Sequence, residues 1–387
     1  MFSMNRWGGV ALLVVATGSA CTDSEQRPTT TQVDTIGDMV HVRNVPAAVA
    51  WSLTELMTVH GGDHGFTNAV SLAVDGQHQL YVADMGEAVI RVFDSTGAGV
   101  RTIGRRGAGP SEFEDLYSIG WLGDTLVALD PGNSRVGLLT RSGDWLGHRQ
   151  QRRIGGDGVR LIQGDRAVYA PGVLVRDSVV VATLIRHTAD GWKDTVELPD
   201  RRKGQPPIGI VCETPDGGIH GFTIPFSSRP VLTMSPAGDL VLARSGEYRI
   251  SFARAGDTIR VVEAPANPIP VLAEEWADSL RPYQAWKEKF AGVPCDPSSV
   301  SAPATRPVIQ EIWFDDEGQM WVERTDQGSP TFDVFNSDGI LLASLPAPTR
   351  DHDVTPTVRN GRLYVLKTIE SGEQIVQVYQ VLKNSRN

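Results

Sequence analysis

Cysteine is scarce in this sequence, and the cysteines present do not have the spacing of a metal site. The 387 residues include three of them, Cys21, Cys212 and Cys295, and none lies in a CxxC or Cys/His ligand pattern. The GxxxxGK(S/T), HExxH and GxSxG motifs are also missing. These absences argue against a structural zinc site, a P-loop nucleotide site, a zincin and an α/β-hydrolase.

Positive charge is also in short supply. The chain has 36 Lys and Arg residues against 46 Asp and Glu residues, which gives a formal net charge of −10. Nucleic-acid binding requires a basic surface that neutralises phosphates, and adhesion to anionic lipid requires a basic face. The composition argues against both, so we expect no nucleic-acid partner.

The N-terminal apolar segment is too short to cross a membrane. Arg6 precedes the apolar run Val10–Ala16, and the small residues Gly18–Ala20 follow it. A membrane-spanning helix needs about 20 apolar residues, whereas this order of features is typical of a secretory signal. Residues 1–20 therefore predict a cleaved signal peptide.

The residue after this segment, Cys21, resembles the cysteine of a bacterial lipoprotein signal, which is acylated and begins the mature chain. Gly18 departs from the pattern, because the family usually has Leu at that place. An ordinary signal with an incidental cysteine is the alternative. The resemblance implies lipid attachment at Cys21, with the polar, Pro/Thr-rich residues 21–32 as a flexible tether. The protein would be exported to the bacterial cell envelope, on the periplasmic or the outer surface, and would contact the membrane only through its lipid anchor.

The other two cysteines, Cys212 and Cys295, are an even pair in a compartment that permits disulfides. A bridge between them would connect the fourth repeat described below to the insertion that follows it. The bridge is possible only if their Cα atoms come within about 7 Å. Bridged and unbridged forms both remain open at this point.

The segment Phe66–Leu146 contains the same strand-and-turn sequence twice. Asp84 and Asp130 are 46 residues apart, and so are Gly97 and Gly143. Short strands that alternate with Gly and Asp turns at such a period are typical of β-propeller blades. The repeat therefore predicts an all-β propeller.

Six such units can be assigned, which predicts one all-β, six-bladed propeller domain over residues 33–387. The segment Val33–Asn44 alternates apolar and polar residues and predicts an N-terminal strand. We expect this strand to complete the last blade and close the ring, because an open ring would leave an exposed sheet edge. The predicted repeats are Phe66–Gly104, Phe113–Arg153, Val159–Asp200, Ile208–Ala264, Val308–Leu345 and a sixth that contains Gly361–Val381.

One insertion, at about residues 267–300, has a helical pattern instead. Within Leu272–Phe290, aromatic and leucine side chains recur every three or four residues, as on one face of a helix. Pro282 predicts a kink or a division into two short helices. The insertion is either a flap that buries its aromatic residues on the propeller or a lid or docking element beside a binding face.

The repeat sequences resemble NHL-type repeats. The resemblance rests on Leu80–Asp84, Val89–Asp94 and the glycine-rich Ile103–Phe113, and Asn133 occupies the place of the family's usual Asn, where the first repeat has Glu87. The whole layout is similar to six-bladed β-propeller lipoproteins of bacterial envelopes. This resemblance implies a closed ring that binds something on its top face or in its channel, but it implies no single chemistry.

The sequence assigns no catalytic residue and no metal ligand, but it offers candidates for a ligand-binding face. Asp84 and Asp130 recur at matching positions, as a channel metal site requires, although an Asp before a turn commonly bonds the turn amides instead. Arginines in or near loops could bind an anionic ligand or be merely solvated. The candidates are Asp84, Glu87, Arg105, Arg106, Asp130, Asn133, Arg135 and Glu323.

Two functional hypotheses follow. The preferred one is a lipid-anchored, monomeric binding or scaffolding propeller without enzymatic activity or cofactor, which recognises a protein, a peptide or a glycan. The alternative is a metal-dependent hydrolase or lyase, as in gluconolactonase-like propellers, with Ca²⁺ or Zn²⁺ held by side chains from several blades. Its candidate ligands are Asp84, Glu87, Asp130, Asn133 and Glu323.

Overall fold

The computed structural model describes most of the predicted propeller. The predicted signal peptide, Cys21, the tether up to residue 29 and Cys295 lie outside the described residues, so lipid attachment stays a prediction. Within the described ranges, neither helix is long and apolar enough to cross a bilayer. These ranges are 30–46, 49–61, 65–151, 160–164, 166–176, 179–191, 193–199, 209–213, 218–289, 300–326 and 329–383.

Six sheets form a ring, which confirms the predicted six-bladed β-propeller. The strands are β1 Gln32–Ile36, β2 Met39–Arg43, β3 Ser52–His60, β4 Ala69–Val74, β5 Leu80–Asp84, β6 Val89–Phe93, β7 Gly99–Ile103, β8 Ser118–Leu122, β9 Thr125–Asp130, β10 Arg135–Leu139, β11 Trp145–Gln150, β12 Ile162–Gln163, β13 Ala167–Arg176, β14 Val179–Thr188, β15 Lys193–Glu197, β16 Gly209–Glu213, β17 Ile219–Thr223, β18 Pro230–Met234, β19 Leu240–Arg244, β20 Arg249–Arg254, β21 Asp257–Glu263, β22 Ile309–Phe314, β23 Met320–Asp326, β24 Ser329–Phe335, β25 Leu341–Pro346, β26 Thr357–Arg359, β27 Arg362–Thr368 and β28 Gln374–Leu382. The helices are α1 Ala273–Ser279 and α2 Arg281–Lys289.

Each blade is an antiparallel sheet whose first strand faces the centre of the ring. Blades one to three are β4–β7, β8–β11 and β12–β15, and blades four and five are β18–β21 and β22–β25. Blade six combines β26–β28 with β3. The inner strand of blade six, β26, contacts β4 of blade one, so the ring is closed.

The core lies between neighbouring blades, which stack face to face. Tyr81 and Ile90 of blade one pack with Leu126 of blade two and with Phe113 of the connecting loop. Strand β5 is buried along its whole length, whereas the outermost strand of that blade, β7, is largely exposed. Burial on both faces explains why the middle strands are continuously apolar rather than alternating.

In the glycine-rich loop between blades one and two, Gly104 lies directly against the ring of Phe113. Gly104 has a φ of +89°, and a Cβ added there would lie 2.5 Å from the Phe113 ring. Phe113 is fully buried. Only glycine permits both the left-handed backbone and this close approach, which explains the glycine at position 104.

An N-terminal strand closes the ring, as predicted, but it is a different segment from the one expected. β3, Ser52–His60, pairs with β28 along its length and forms the outer edge of blade six. The predicted segment Val33–Asn44 instead forms the hairpin β1–β2, and β2 pairs in parallel with β21 at the outer edge of blade four. Both segments contain polar side chains because each lies at the outer edge of its blade, where many side chains face solvent.

The fourth repeat also differs from its predicted bounds. Strands β16 and β17 of its first part pair with each other as a separate two-stranded sheet, which we call the hairpin, and blade four begins only at Pro230. The predicted division of the helical insertion is confirmed, because α1 ends at Ser279 and α2 begins at Arg281, next to Pro282.

The hairpin and the helices form one unit, which we name the cap (β16, β17, α1 and α2). The Phe222 ring of β17 lies 4.6 Å from the Tyr283 ring and 5.0 Å from the Trp286 ring of α2, between centroids. The Tyr283 hydroxyl donates a hydrogen bond to the Thr223 carbonyl. The aromatic face of the insertion is therefore partly buried against the hairpin.

Candidate functional site: the central channel

The inner strands of the blades surround a channel of about 910 Å³. We define its upper end as the end at which the chain enters each inner strand. The loops that connect one blade to the next lie there, and so does the cap. The polar and charged residues that line this end are Arg160, Arg229, Gln310, Glu311, His352, Asp353 and Thr355.

In blade three, the second and third strands form part of the channel wall. Its inner strand, β12, has only two residues. Residues 171–173 of β13 and 182–184 of β14 therefore line the channel directly. We name these residues the blade-three recess. The shortened inner strand also explains why the third repeat is the least regular in the sequence.

Arg160 crosses the upper mouth of the channel. It precedes β12 of blade three, yet its Nη1 lies 3.2 Å from Glu311 Oε1 of blade five and 2.7 Å from Thr355 Oγ1, just before β26 of blade six. Blades three and six are opposite each other in the ring, so the guanidinium group spans the opening. The Thr355 hydroxyl donates to the same Glu311 oxygen at 2.5 Å and fixes the far end of this bridge.

A buried arginine, Arg350, holds the carboxylates behind the bridge. Its Nε and Nη2 donate to Glu323, and Nη2 also donates to Glu311 Oε2 at 2.6 Å. Its Nη1 donates to the backbone carbonyls of Asp351 and Val354. The side chains of Arg350 and Glu323 are each 1% exposed. All N–H groups of this guanidinium thus have acceptors, so Arg350 is part of a rigid support.

Glu323 keeps its negative charge despite its burial. Burial alone would raise the pKa of this carboxyl, but the nearby His352 and the charge of Arg350 outweigh burial and lower the pKa. His352 is exposed at the mouth, with Nδ1 3.6 Å from Glu323 Oε2. Glu323 itself does not line the channel. It therefore compensates Arg350 and helps to position Glu311.

The cap lies beside the mouth, on the upper side of blades four and five. Arg229, between β17 and blade four, donates through Nη2 to the Gln310 carbonyl at 3.3 Å. Arg306, just before blade five, forms an ion pair with Glu275 of α1 at 2.8 Å. The cap thus buries aromatic residues and packs beside the entry into blade five, but none of its described residues lines the channel.

One cysteine of the predicted pair lies in the cap. Cys212 on β16 is buried and disulfide-bonded. Its partner lies outside the described residues, so pairing with Cys295 stays a prediction. Such a bridge would connect the hairpin to the segment that follows α2 and would hold the two halves of the cap together.

Asp84 and Asp130 fasten the loops that lead into inner strands. Asp84 accepts hydrogen bonds from the amides of Thr67 and Asn68, both at 2.9 Å. Asp130 accepts from the amides of residues 114 and 115, at 3.1 and 3.0 Å. Both carboxylates are fully buried. The matching positions of the two residues therefore correspond to a repeated backbone anchor.

Two further candidates bind the same anchor. Asn133 donates to Asp130 at 2.7 Å and to the Gly107 carbonyl at 2.9 Å. Arg135 lies 3.3 Å from Asp130 and stacks on Trp145 at 4.9 Å from the ring centroid. These side chains hold the glycine-rich loop against blade two.

The remaining loop candidates, Glu87, Arg105 and Arg106, also form ion pairs or hydrogen bonds with other residues of the chain. Glu87 pairs with Arg91 at 2.8 Å, and Arg105 pairs with Glu112 at 2.6 Å. Arg106 donates to two backbone carbonyls, at 2.9 and 3.0 Å. All of these candidates lie on the upper face, but none of them lines the channel.

The structure does not bring the proposed metal ligands together. Asp84 and Glu87 belong to blade one, Asp130 and Asn133 to blade two, and Glu323 is enclosed by Arg350. In the part of the chain that the structure describes, no group of three or more His, Cys, Asp or Glu side chains is arranged to hold a metal ion. No observation therefore favours the metal-dependent hydrolase or lyase.

The residues that form the channel mouth were not identified from the sequence. They come from separate blades and share no local motif, because only ring closure brings them together. The sequence feature that could have indicated the position of the recess was the irregular third repeat. The missed residues at the mouth are Arg160, Glu311, His352 and Thr355, and the sequence also did not identify Arg350 behind the mouth or Thr183 in the recess.

Comparisons with known proteins find solved structures with some similarity to this chain, but they assign no function to it. The solved structures similar to this chain include a Bacteroides fragilis protein assigned as exported, with 12% identity, a TM-score of 0.49, and coverage of 89% of this chain and 100% of that one. A Bacteroides vulgatus member of a family of unknown function has 9% identity, a TM-score of 0.49, and coverage of 87% and 99%. Virginiamycin B lyase from Staphylococcus aureus has 14% identity, a TM-score of 0.40, and coverage of 85% and 99%. No protein-family model and no curated protein sequence matches the chain.

Proposed function

We propose that this protein is a lipid-anchored binding propeller of the bacterial cell envelope, and that its ligand enters the channel from the upper face. The observation that carries the proposal is the channel of about 910 Å³, whose upper mouth is lined by charged and polar side chains. Binding sites are typically concave and contain a few fixed polar groups. The bridge from Arg160 to Glu311 and Thr355 is such a group.

The rigid support behind the mouth favours recognition. Arg350 is fully hydrogen-bonded and fixes Glu311, which in turn fixes Arg160. Groups held in place before binding lose little conformational entropy when a ligand arrives. The loop residues that the sequence offered for a metal or an anion are engaged in the scaffold, so the channel is the better candidate. The ligand classes remain those expected from the sequence, a glycan, a peptide or a segment of a partner protein.

Arrays of bacterial glycans and short peptides, probed with labelled chain beginning at Thr22, test this proposal. Thr355→Trp should remove binding, because an indole at the mouth fills the opening and breaks the bridge. Val100→Trp is the matched control, since Val100 is exposed on the outer strand β7 and does not line the channel. Binding that survives Thr355→Trp but is lost on Val100→Trp would place the ligand on the outer surface and refute a channel site.

A further inference from the structure

The bridging arginine has an unused donor edge. Arg160 binds Glu311 and Thr355 through Nη1 alone, and among the described residues its Nε and Nη2 have no hydrogen-bond partner. Its side chain is 32% exposed in the channel mouth. The Nε and Nη2 groups of an arginine form the side-on fork that fits the two oxygens of a carboxylate.

The carboxylate of Glu311 is fully engaged, in contrast to this arginine. Its Oε1 accepts from Arg160 and Thr355, and its Oε2 accepts from Arg350. A cationic ligand would have to compete with three donors for this residue. An anionic ligand would find the fork of Arg160 already in place, with Arg229 at the same rim.

A second observation comes from the blade-three recess. Thr183 lines the channel and is 2% exposed, yet its hydroxyl has no hydrogen-bond partner among the described residues. Buried hydroxyls are almost always hydrogen-bonded. At the neighbouring Gly172, an added Cβ would lie 2.8 Å from this hydroxyl and 2.7 Å from the Ile185 side chain. Glycine therefore lets β13 pack directly against the Thr183 and Ile185 side chains, where a larger residue would clash.

We propose that the channel binds a hydroxylated organic carboxylate of the size of an acidic sugar. Its carboxylate would lie on Nε and Nη2 of Arg160, and its hydroxyl-bearing body would occupy the recess beside Thr183. The inference rests on the proposed binding function and specifies its ligand class. The recess also contains Pro171, Val173 and Leu184, which suit the apolar face of a sugar ring.

Isothermal titration calorimetry with three probes tests the inference on the chain beginning at Thr22. The probes are D-galacturonate, its neutral counterpart D-galactose, and propionate, which has the carboxylate without the hydroxyls. We expect galacturonate to bind most tightly. Arg160→Gln should weaken galacturonate binding about 10- to 100-fold, because it removes a charge-assisted hydrogen-bond pair. Arg105→Gln is the matched control and should change nothing, since Arg105 is 80% exposed and lies outside the channel.

Thr183→Val separates the two parts of the proposed site. This nearly isosteric change should weaken galacturonate binding several-fold and leave propionate binding unchanged. Thermal unfolding of each variant checks that the fold is intact. Because Arg160→Gln also breaks the bridge to Glu311, the Thr183 result decides the case if the Arg160 variant is unstable.

Two outcomes would overturn the inference. Equal binding of galactose and galacturonate, unaffected by Arg160→Gln, would show that the carboxylate is not recognised. Failure of both carboxylates to bind at concentrations up to about 10 mM would exclude this ligand class. Neither outcome would refute the proposed function, which fails only if array ligands bind regardless of Thr355→Trp.

Discussion

Replacing Arg350 by Met tests the rigid support behind the channel mouth. The substitution removes five hydrogen bonds, three to carboxylates and two to backbone carbonyls. It also leaves Glu323 buried without its Arg350 partner, so that the exposed His352 is the remaining cationic group beside it. Removing one partner of a buried ion pair typically costs about 3–5 kcal/mol, so we expect the free energy of unfolding at pH 7 to fall by about that amount.

The pH dependence of this loss follows from the lowered pKa of Glu323 in the native protein. A carboxyl with a lowered native pKa stabilises the fold above its unfolded value of about 4.3, and this stabilisation is lost as the pH falls through the native pKa. Arg350→Met keeps the burial that raises the pKa of Glu323 and removes the Arg350 contributions that lower it, so we expect the carboxyl to be neutralised at a higher pH than in the native protein. The difference between the two proteins should therefore be largest at pH 7 and should shrink towards pH 4.

Urea unfolding followed by tryptophan fluorescence at several pH values measures this difference. Arg105→Met is the control, because its side chain is 80% exposed and a solvent-exposed ion pair contributes little to the free energy of unfolding. Adding Glu323→Gln to Arg350→Met should recover part of the lost stability. A loss at pH 7 below about 1 kcal/mol, or a loss that is the same at pH 7 and pH 4, would refute the reasoning.

Three further predictions concern the loop anchor Asp130, lipid attachment at Cys21 and the disulfide of Cys212. Asp130→Ala should lower the free energy of unfolding by about 3 kcal/mol, because buried amides and Arg135 lose their acceptor. Elemental analysis should find the same metal content in the variant and the native protein. A stoichiometric metal that is lost in the variant would contradict the anchor role. Cys21→Ser should abolish labelling with tritiated palmitate and move the protein out of the membrane fraction, whereas unchanged fractionation would argue against a lipid anchor. Peptide mapping under non-reducing conditions should find Cys212 linked to Cys295, and a free thiol at Cys295 would disprove the pairing.

The architecture could be predicted from the sequence because it is repeated. Each blade requires the same continuous apolar strands and the same turn residues, so the period appears in the chain itself, as with Asp84 and Asp130. The division of the helical insertion was equally local, since Pro282 cannot continue a helix from the preceding turn. Features that depend on three or four neighbouring residues can be predicted directly from the local sequence.

Pairing between distant strands was harder to predict. Val33–Asn44 and Ser52–His60 both have the composition of an edge strand, and either could have closed the ring. The structure pairs the second with β28 and the first with blade four. Asn44 contributes to this choice, because its buried amide bonds the carbonyls of Glu263 and Gly339 and thereby links blades four and five.

The sequence alone thus determined the fold class and the number of blades, because these depend on local patterns that recur. Only the tertiary structure decided where the candidate site lies. Arg160, Glu311 and Thr355 belong to three different blades, and their side chains meet only because the closed ring brings opposite walls within one arginine's reach. Residues that form a site across the axis of a ring have no characteristic spacing in the sequence, whereas repeated blades produce a period that can be detected there.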